Sequence, residues 1–255
     1  MENLKICSYN LRYEERGDGK NMFSYRSMYI RDAIRREAPD IIGFQEVLPH
    51  MQNWLRDTFP EYITVGCGRG SNYQGESNPV LFKKDKFAFL GFDVFWLSPT
   101  PFIPGSRYEE QSDCPRICTV ITLNPVGKVK PFRVYNTHLD HVSDEARKQG
   151  IRAILARMDE DDKRMPLPNL LLGDLNAEPG SDTIRFINEC ESRKFTELTA
   201  ELDGSFHAYG KCFKKIDFIF ASGNINGLGA KLWDECHDGV YLSDHYPVCA
   251  EFELV

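Results

Sequence analysis

Several things are missing from this 255-residue chain, and each absence narrows its class. No run of 18 apolar residues occurs, so no segment reads as a membrane-spanning helix. The first residues, Met1-Glu2-Asn3-Leu4-Lys5-Ile6, show no basic stretch followed by an apolar core, and enter a strand pattern at once. A cytoplasmic protein is expected, with a secreted form whose signal peptide has been removed as the alternative. Repeats and low-complexity segments are absent too. The longest Gly/Ser-rich piece, Gly66-Cys67-Gly68-Arg69-Gly70-Ser71-Asn72, suits a loop rather than a linker. A single domain over residues 1–255, acting as a monomer, is the expectation. A basic surplus is also missing: the formal charge is −7. The longest basic runs, Lys83-Lys84-Asp85-Lys86 and Lys214-Lys215, read as solvated strand ends. General nucleic-acid binders draw most non-specific affinity from phosphate neutralisation, so this balance disfavours a long polymeric substrate.

The eight cysteines contain no CxxC and no paired His spacing, which speaks against a zinc site. Cys7 and Cys249 fall inside strand-like runs, where cysteine acts as a small buried hydrophobe. Reduced thiols are the default expectation; Cys114 and Cys118 are near enough in sequence for a bridge to be weighed against it.

What is present is a 42% hydrophobic, 12% aromatic chain that can fill a large core. Ile6 to Leu11 reads as a first strand, and Tyr25 to Glu37 as an amphipathic helix carrying Met28, Ile30, Ala33 and Ile34. A short strand at Ile41 to Phe44 leads to Gln45-Glu46. Leu48, Met51, Trp54, Leu55 and Phe59 then repeat at helical spacing before Pro60. Five strands follow, at 62–65, 79–83, 87–97, 117–123 and 132–137. Ser143 caps a helix with Ile151, Ile154, Leu155 and Met158 on one face. The remainder reads as strand 170–172, helix 181–191, strand 216–220 and strand 248–254. Strand–helix–strand–helix, a block of strands, then helix and strand again fits an α/β (α+β) four-layer sandwich: two mixed β-sheets packed together and flanked by helices.

Six short segments carry polar residues at or near the ends of apolar runs. They are Ser8-Tyr9-Asn10, Phe44-Gln45-Glu46-Val47, Asn136-Thr137-His138-Leu139, Gly173-Asp174-Leu175-Asn176, Ile216-Asp217-Phe218 and Ser243-Asp244-His245-Tyr246-Pro247. Residues so placed can project from rigid sheets into one cleft. In order and spacing the six resemble the motifs of the endonuclease/exonuclease/phosphatase superfamily, which includes deoxyribonuclease I, apurinic endonucleases, inositol polyphosphate 5-phosphatases, bacterial sphingomyelinases and deadenylases. The likeness runs from Ser8 to Glu253. The segment from Phe95-Trp96-Leu97-Ser98-Pro99 to Arg116 is similar to a small bacterial and fungal branch near the deadenylase-like members. The resemblance implies a four-layer sandwich with its cleft at one end of the sheets, and metal-dependent attack of water on a phosphorus ester.

Hydrolysis of an anionic ester requires charge neutralisation, a positioned base and a stabilised leaving group. Hard Mg²⁺ or Mn²⁺ prefers oxygen ligands, and the chain offers them without a soft set. By the resemblance, Glu46 is the principal metal ligand, Asn10 touches the metal or its water, and Asp244 approaches that ion or a second one. Asp174 and Asn176 flank Leu175, so strand alternation would put both on one face, where they orient water and phosphate. The competing reading is an Asx turn ahead of Pro179-Gly180. Asp217 would fix the tautomer of His245 and raise its proton affinity. Whether Asp174 or His245 is the base stays open, as does one metal or two. His138 would serve the leaving oxygen, with Glu76 as its partner in nuclease branches. Arg107 and Arg116 could clamp a phosphate, against the alternative of surface pairing with Glu109 and Glu110.

Metal-dependent phosphoester hydrolysis is thus the expected activity, with a phosphorylated metabolite, nucleotide or lipid headgroup as favoured substrate. A nuclease acting on DNA or RNA, of the endonuclease or exoribonuclease/deadenylase kind, is the first alternative. A non-catalytic binding or scaffold protein is the second, disfavoured because none of Glu46, Asp174, Asn176, Asp217 and His245 is missing.

Overall fold

The computed structural model describes residues 3–255; Met1 and Glu2, assigned above to the strand entry, lie outside the described residues. Strand β1 (Leu4–Asn10), helix α1 (Phe23–Glu37) and strand β2 (Ile41–Gln45) form a unit in which the two strands pair in parallel. Helix α2 (Pro49–Thr58) leads to β3 (Tyr62–Val65) and β4 (Val80–Lys83). The meander β5 (Phe87–Trp96), β6 (Ile117–Pro125), β7 (Phe132–His138) begins a second sheet. Helix α3 (Asp144–Arg164) then connects β7 to its parallel partner β8 (Asn169–Asp174). After α4 (Asp182–Asn188) come β9 (Phe195–Glu197), β10 (Asp217–Ser222), β11 (Ile225–Leu232), β12 (Cys236–His237), β13 (Val240–Tyr241) and β14 (Val248–Leu254).

Two six-stranded mixed sheets result, in the orders β11-β14-β1-β2-β4-β3 and β5-β6-β7-β8-β10-β9. Alternation divides their side chains between three cores. Leu4, Ile6, Ile41, Phe82, Phe132, Val134, Leu170, Leu172 and Phe252 meet between the sheets. Cys7, Tyr9, Ile42 and Phe44 point outward under Ile30, Ile34, Met51 and Leu55 of α1 and α2. On the far side, Tyr135, Leu171, Phe218 and Phe220 pack beneath Ile151, Ile154, Ile184 and Ile187 of α3 and α4. This is the expected four-layer sandwich. Each fully buried aliphatic or aromatic side chain contributes about 1.5–3 kcal/mol by leaving water. Helix α3 starts where Ser143 accepts from the Ala146 amide at 3.1 Å, with Asp144 and Glu145 in the first turn facing the helix dipole.

Several expectations need correction. Met28 is 51% exposed, on the outer side of α1 rather than in its core stripe. Helix α4 ends at Asn188, not Glu191. The edge strands β9 and β11, the small β12–β13 hairpin and a 3-10 stretch at Arg16–Asn21 were not anticipated. All eight cysteines are free, so Cys114 and Cys118 are not bridged. Among the described residues no helix is long and apolar enough to cross a membrane.

The two parallel pairs fix where polar groups emerge. Asn10 ends β1 opposite Gln45, and His138 ends β7 opposite Asp174. Asp217 opens β10 directly across from Asp174, and Asp244-His245 sits just before β14. Tight glycines make this convergence sterically possible. A Cβ on Gly43 would lie 2.8 Å from Asn136 Oδ1, and one on Gly173 would lie 1.9 Å from the Thr137 carbonyl oxygen. Gly173 also has φ +143°, closed to L side chains. Gly173→Ala should therefore lower unfolding stability by about 3 kcal/mol or more in urea denaturation. A loss under about 1 kcal/mol would show that the β7–β8 ends are not locked as described.

Candidate active site

Asp174 is the hub of the cleft. Its Oδ1 accepts from the Asn176 amide at 2.9 Å. Its Oδ2 faces three groups: Asn10 Nδ2 at 2.9 Å, His138 Nε2 at 3.4 Å and His245 Nε2 at 3.7 Å. Asn10 Nδ2 also donates to Glu46 Oε1 at 3.1 Å, so one amide joins the two carboxylates. Its Oδ1 accepts from the Arg12 amide at 2.9 Å. The reversed amide would set its oxygen against two carboxylates, so this orientation is chemically fixed. Asn10 thus bridges the Glu46 and Asp174 carboxylates through its amide nitrogen. Glu46 lies one residue past β2 with φ 60°, an uncommon conformation that turns its carboxylate into the cleft, where Oε2 accepts from the Tyr13 amide at 3.2 Å.

Asn176 corrects the alternation expected for the Asp-Leu-Asn motif. The strand stops at Asp174, Asn176 has φ 47°, and its amide bonded to the Asp174 carboxylate makes the local turn of the competing reading. Both residues still line the cleft, while Asn176 Nδ2 donates to the Leu139 carbonyl at 3.1 Å.

Asp217 and His245 form the expected pair, with His245 Nδ1 2.7 Å from Asp217 Oδ2. The same oxygen accepts from Ser205 Oγ at 2.6 Å, and the Phe206 ring lies 4.8 Å from the imidazole, centre to centre. Burial disfavours the charged imidazole, but Asp217, Asp174 and Asp244 outweigh it and push its pKa up to about 10. The surrounding carboxylates thus favour the charged form of His245. His138 goes the other way: burial, then Arg116 and Arg69, hold it well below the usual imidazole range. Its Nδ1 is buried with no hydrogen-bond partner among the described residues. The glutamate expected beside it, Glu76, is instead 2.6 Å from Arg69 Nη2, and burial raises its pKa.

Asp244 lies 3.8 Å from Arg12 Nε and accepts from Ser243 Oγ at 3.2 Å. Arg116 lines the cleft at 4% exposure, with Nη2 2.9 Å from His141 Nδ1 and Nε 3.7 Å from Asp140. Arg107 does not line it. Its guanidinium is tied to the carbonyls of Gln111 and Ser112, both at 3.3 Å, and to Asp113, so the proposed two-arginine clamp is not assembled.

The cleft, of about 420 Å³, is lined by the carboxylates of Glu46, Asp174 and Asp244 and by the cationic or imidazole groups of Arg12, Arg69, Arg116 and His141. Arg12, Arg69 and Ser205 carried no motif signal and were missed by sequence reasoning, while His141, three residues past His138 in the chain, stood out without a role.

The ligand atoms of Asp174, Asp217 and His245 all fall within 4.8 Å of one another, a spacing that fits a cation. Asp217 and His245 are already committed to each other, so Glu46 is the carboxylate left for an ion, with Asp174 beside it across the Asn10 amide. Those donors are all hard oxygens, which fits Mg²⁺ or Mn²⁺.

The endonuclease/exonuclease/phosphatase family pattern matches residues 7–245, and the chain belongs to that family. It is accordingly a divalent-metal-dependent hydrolase of phosphorus esters. A Bacteroides vulgatus endonuclease/exonuclease/phosphatase superposes with TM-score 0.93 at 30% identity, covering all of both chains. A conserved Enterococcus faecalis protein of unknown function gives 0.89 at 28%, covering 99% of this chain and 100% of its own. A Bacteroides thetaiotaomicron mannosyl-6-phosphatase gives 0.87 at 24%, covering 98% and 100%. No curated protein sequence matches the chain.

Burial and the charge of Asp217 push the Asp174 pKa up to about 7 in the metal-free protein, against an ordinary value of 3.8. A carboxyl raised on folding stabilises the fold fully below its unfolded pKa, and that contribution is lost as pH rises through the folded value. In chelator, wild-type stability should fall relative to Asp174→Asn between pH 4 and 8, with the two nearly equal at the acid end. Parallel thermal unfolding curves across that range would show that Asp174 is not strained.

Proposed function

We propose that the protein hydrolyses a phosphate ester of a small molecule (a sugar phosphate, nucleotide or lipid headgroup), using Mg²⁺ or Mn²⁺ at the carboxylates of the cleft. The observation that carries this reading is the convergence on Asp174 Oδ2 of Asn10, His138 and His245, beside Glu46 in a cleft that guanidinium groups also line. Once bound, a divalent ion supplies Lewis-acid neutralisation of the phosphoryl oxygens.

The chain's own residues divide the remaining work. Glu46 is the principal ligand, with Asp244 as a further carboxylate of the cleft. Asp174, already close to neutral pH in its proton affinity, accepts the proton of the attacking water. His245, whose proton affinity the neighbouring carboxylates raise, donates to a phosphoryl oxygen while Asp217 and Ser205 hold its ring. Neutral His138 is placed to donate to the leaving oxygen. Asn176 keeps Asp174 aimed.

Size and charge favour a small substrate. A cleft of about 420 Å³ lies in the range of ligand pockets, which runs from about 300 to 1,000 Å³. The −7 chain pairs its basic runs internally: Lys83 with Asp40, Lys214 with Glu178, Lys215 with Glu197. That leaves little basic track for a polymer. The fold also serves a mannosyl-6-phosphatase in Bacteroides thetaiotaomicron.

A panel of phosphorylated metabolites, assayed with Mg²⁺ and with chelator, tests the reading. Chelator should abolish turnover. Higher activity on plasmid DNA or poly(A) than on any small ester would reverse the substrate ranking. Glu46→Ala should raise the Mg²⁺ concentration needed for half-maximal rate. His245→Ala and Asp174→Asn should each cut the rate by about 10²–10⁴-fold at saturating metal, and Asp217→Asn by less. A His245→Ala rate within about threefold of wild type would reduce the Asp217–His245 pair to a structural role.

A further inference from the structure

Arg12 is held in the cleft by contacts on its backbone and its guanidinium alike, and nothing in the six motifs accounts for it. It follows β1 directly with φ 51°, a conformation uncommon outside glycine. Its amide donates to Asn10 Oδ1 at 2.9 Å and its carbonyl accepts from Arg26 Nη2 at 2.5 Å. The guanidinium takes both oxygens of Asp18, at 2.9 and 3.2 Å, and lies 4.4 Å from the centre of the Tyr13 ring. Tyr209 in turn donates to the same Asp18 at 3.0 Å. So clamped, Arg12 sits with Nε 3.8 Å from Asp244 Oδ2, close enough to Glu46 for the two charges to interact. Its Nη1 makes no hydrogen bond among the described residues, and the side chain lines the cleft.

We propose that Arg12 is the second cation of this cleft: it occupies the electrostatic position of a second divalent ion, so the protein binds one ion and not two. This rests on the metal-dependent reading above and specifies its stoichiometry. Paired catalytic ions sit about 3.5–4 Å apart and share bridging carboxylates. Here the carboxylate available to a second ion, Asp244, already faces a fixed guanidinium at 3.8 Å. A dication beside that group would meet twice the repulsion that a single charge meets. The guanidinium itself cannot step aside by losing its proton. It can, however, do part of what a second ion does, because Nη1 is left to donate to a phosphoryl oxygen. Asp244 then acts as the counter-charge that keeps Arg12 in the cleft.

Mn²⁺ alone is the probe. Chelator-stripped protein is titrated with Mn²⁺ by calorimetry, and the loaded protein is then read by electron paramagnetic resonance. Wild type should take one Mn²⁺ per chain and give the spectrum of an isolated ion. Arg12→Met should take a second Mn²⁺, with the broadened spectrum of a coupled pair, and adding Asp244→Asn to that variant should remove the second ion again. Two coupled ions in wild type would overturn the proposal, and this outcome needs no variant to fold. A folded Arg12→Met that still takes one ion with unchanged affinity would overturn it as well; Arg12→Gln, which keeps a donor toward Asp18, repeats that arm should the methionine variant fail to fold. A wild-type chain that binds no Mn²⁺ would instead remove the metal-dependent reading itself, a result distinct from either of those.

Discussion

The cleft depends on one buried guanidinium that never touches it. Arg26, fully buried in α1, has no carboxylate partner among the described residues and gives its protons to four main-chain carbonyls: Asn21 at 2.8 Å, Leu11 at 2.6 Å, Arg12 at 2.5 Å and Leu242 at 2.8 Å. Leu11 and Arg12 follow β1, and Leu242 precedes Ser243-Asp244-His245. A single side chain thus ties the exit of the first strand to the entry of the last. Two hydroxyls reinforce the same junction, Tyr9 donating to the Leu242 carbonyl at 2.9 Å and Ser243 to the Asn10 carbonyl at 2.7 Å. Desolvating a charge is costly unless its donors are met, and here the irregular backbone meets four of the five. The loops carrying Arg12 and Asp244 are consequently tied to each other and to the strands they join.

Electrostatics in the cleft show how local arrangement overrides net charge. Asp174 is surrounded by burial and by Asp217, and its proton affinity rises, while His245 between the same carboxylates becomes a stronger base than free imidazole. Two histidines within reach of one carboxylate oxygen are driven in opposite directions: His138 toward neutrality by burial, then Arg116 and Arg69, and His245 toward charge by Asp217 against its own burial. Neighbours, not residue type, divide acid from base.

Much of this was legible in the chain. Apolar alternation located the inner strands and the three longer helices, because residues buried on defined faces must repeat with the period of the element. The six motifs named Glu46, Asp174, Asp217 and His245, which lie where strand ends converge. What escaped had weak periodicity. Strand β11, Ile225–Leu232, is an exposed, glycine-containing edge whose sequence alternates little, and β9 has only three residues. The reading of Asp174 and Asn176 as alternating failed because the backbone reverses at Asn176 once the strand has ended. Arg107 and Arg116 looked alike in sequence, yet one lies half-exposed among loop carbonyls and the other in the cleft wall. Arg12, Arg69 and Ser205 matter through partners distant in sequence, which no local pattern announces.

Asn136 projects from β7 across the gap between the sheets. Its oxygen accepts from Gln45 Nε2 at 2.7 Å, and its amide reaches the carbonyls of Phe44, Asn78 and Pro79 at 2.8, 3.1 and 3.2 Å. Gly43 leaves the space it fills. In an otherwise apolar interface this is a peg that fixes the slide of one sheet over the other. Glu46 rides on one sheet and Asp174 on the other, so the peg sets their alignment. The guanidinium wall is built differently, from the Arg69–Glu76 loop and the turn before β6, outside the pegged strands. That division separates two kinds of support: the wall takes its position from loops, while Glu46 and Asp174 take theirs from the register of the two sheets.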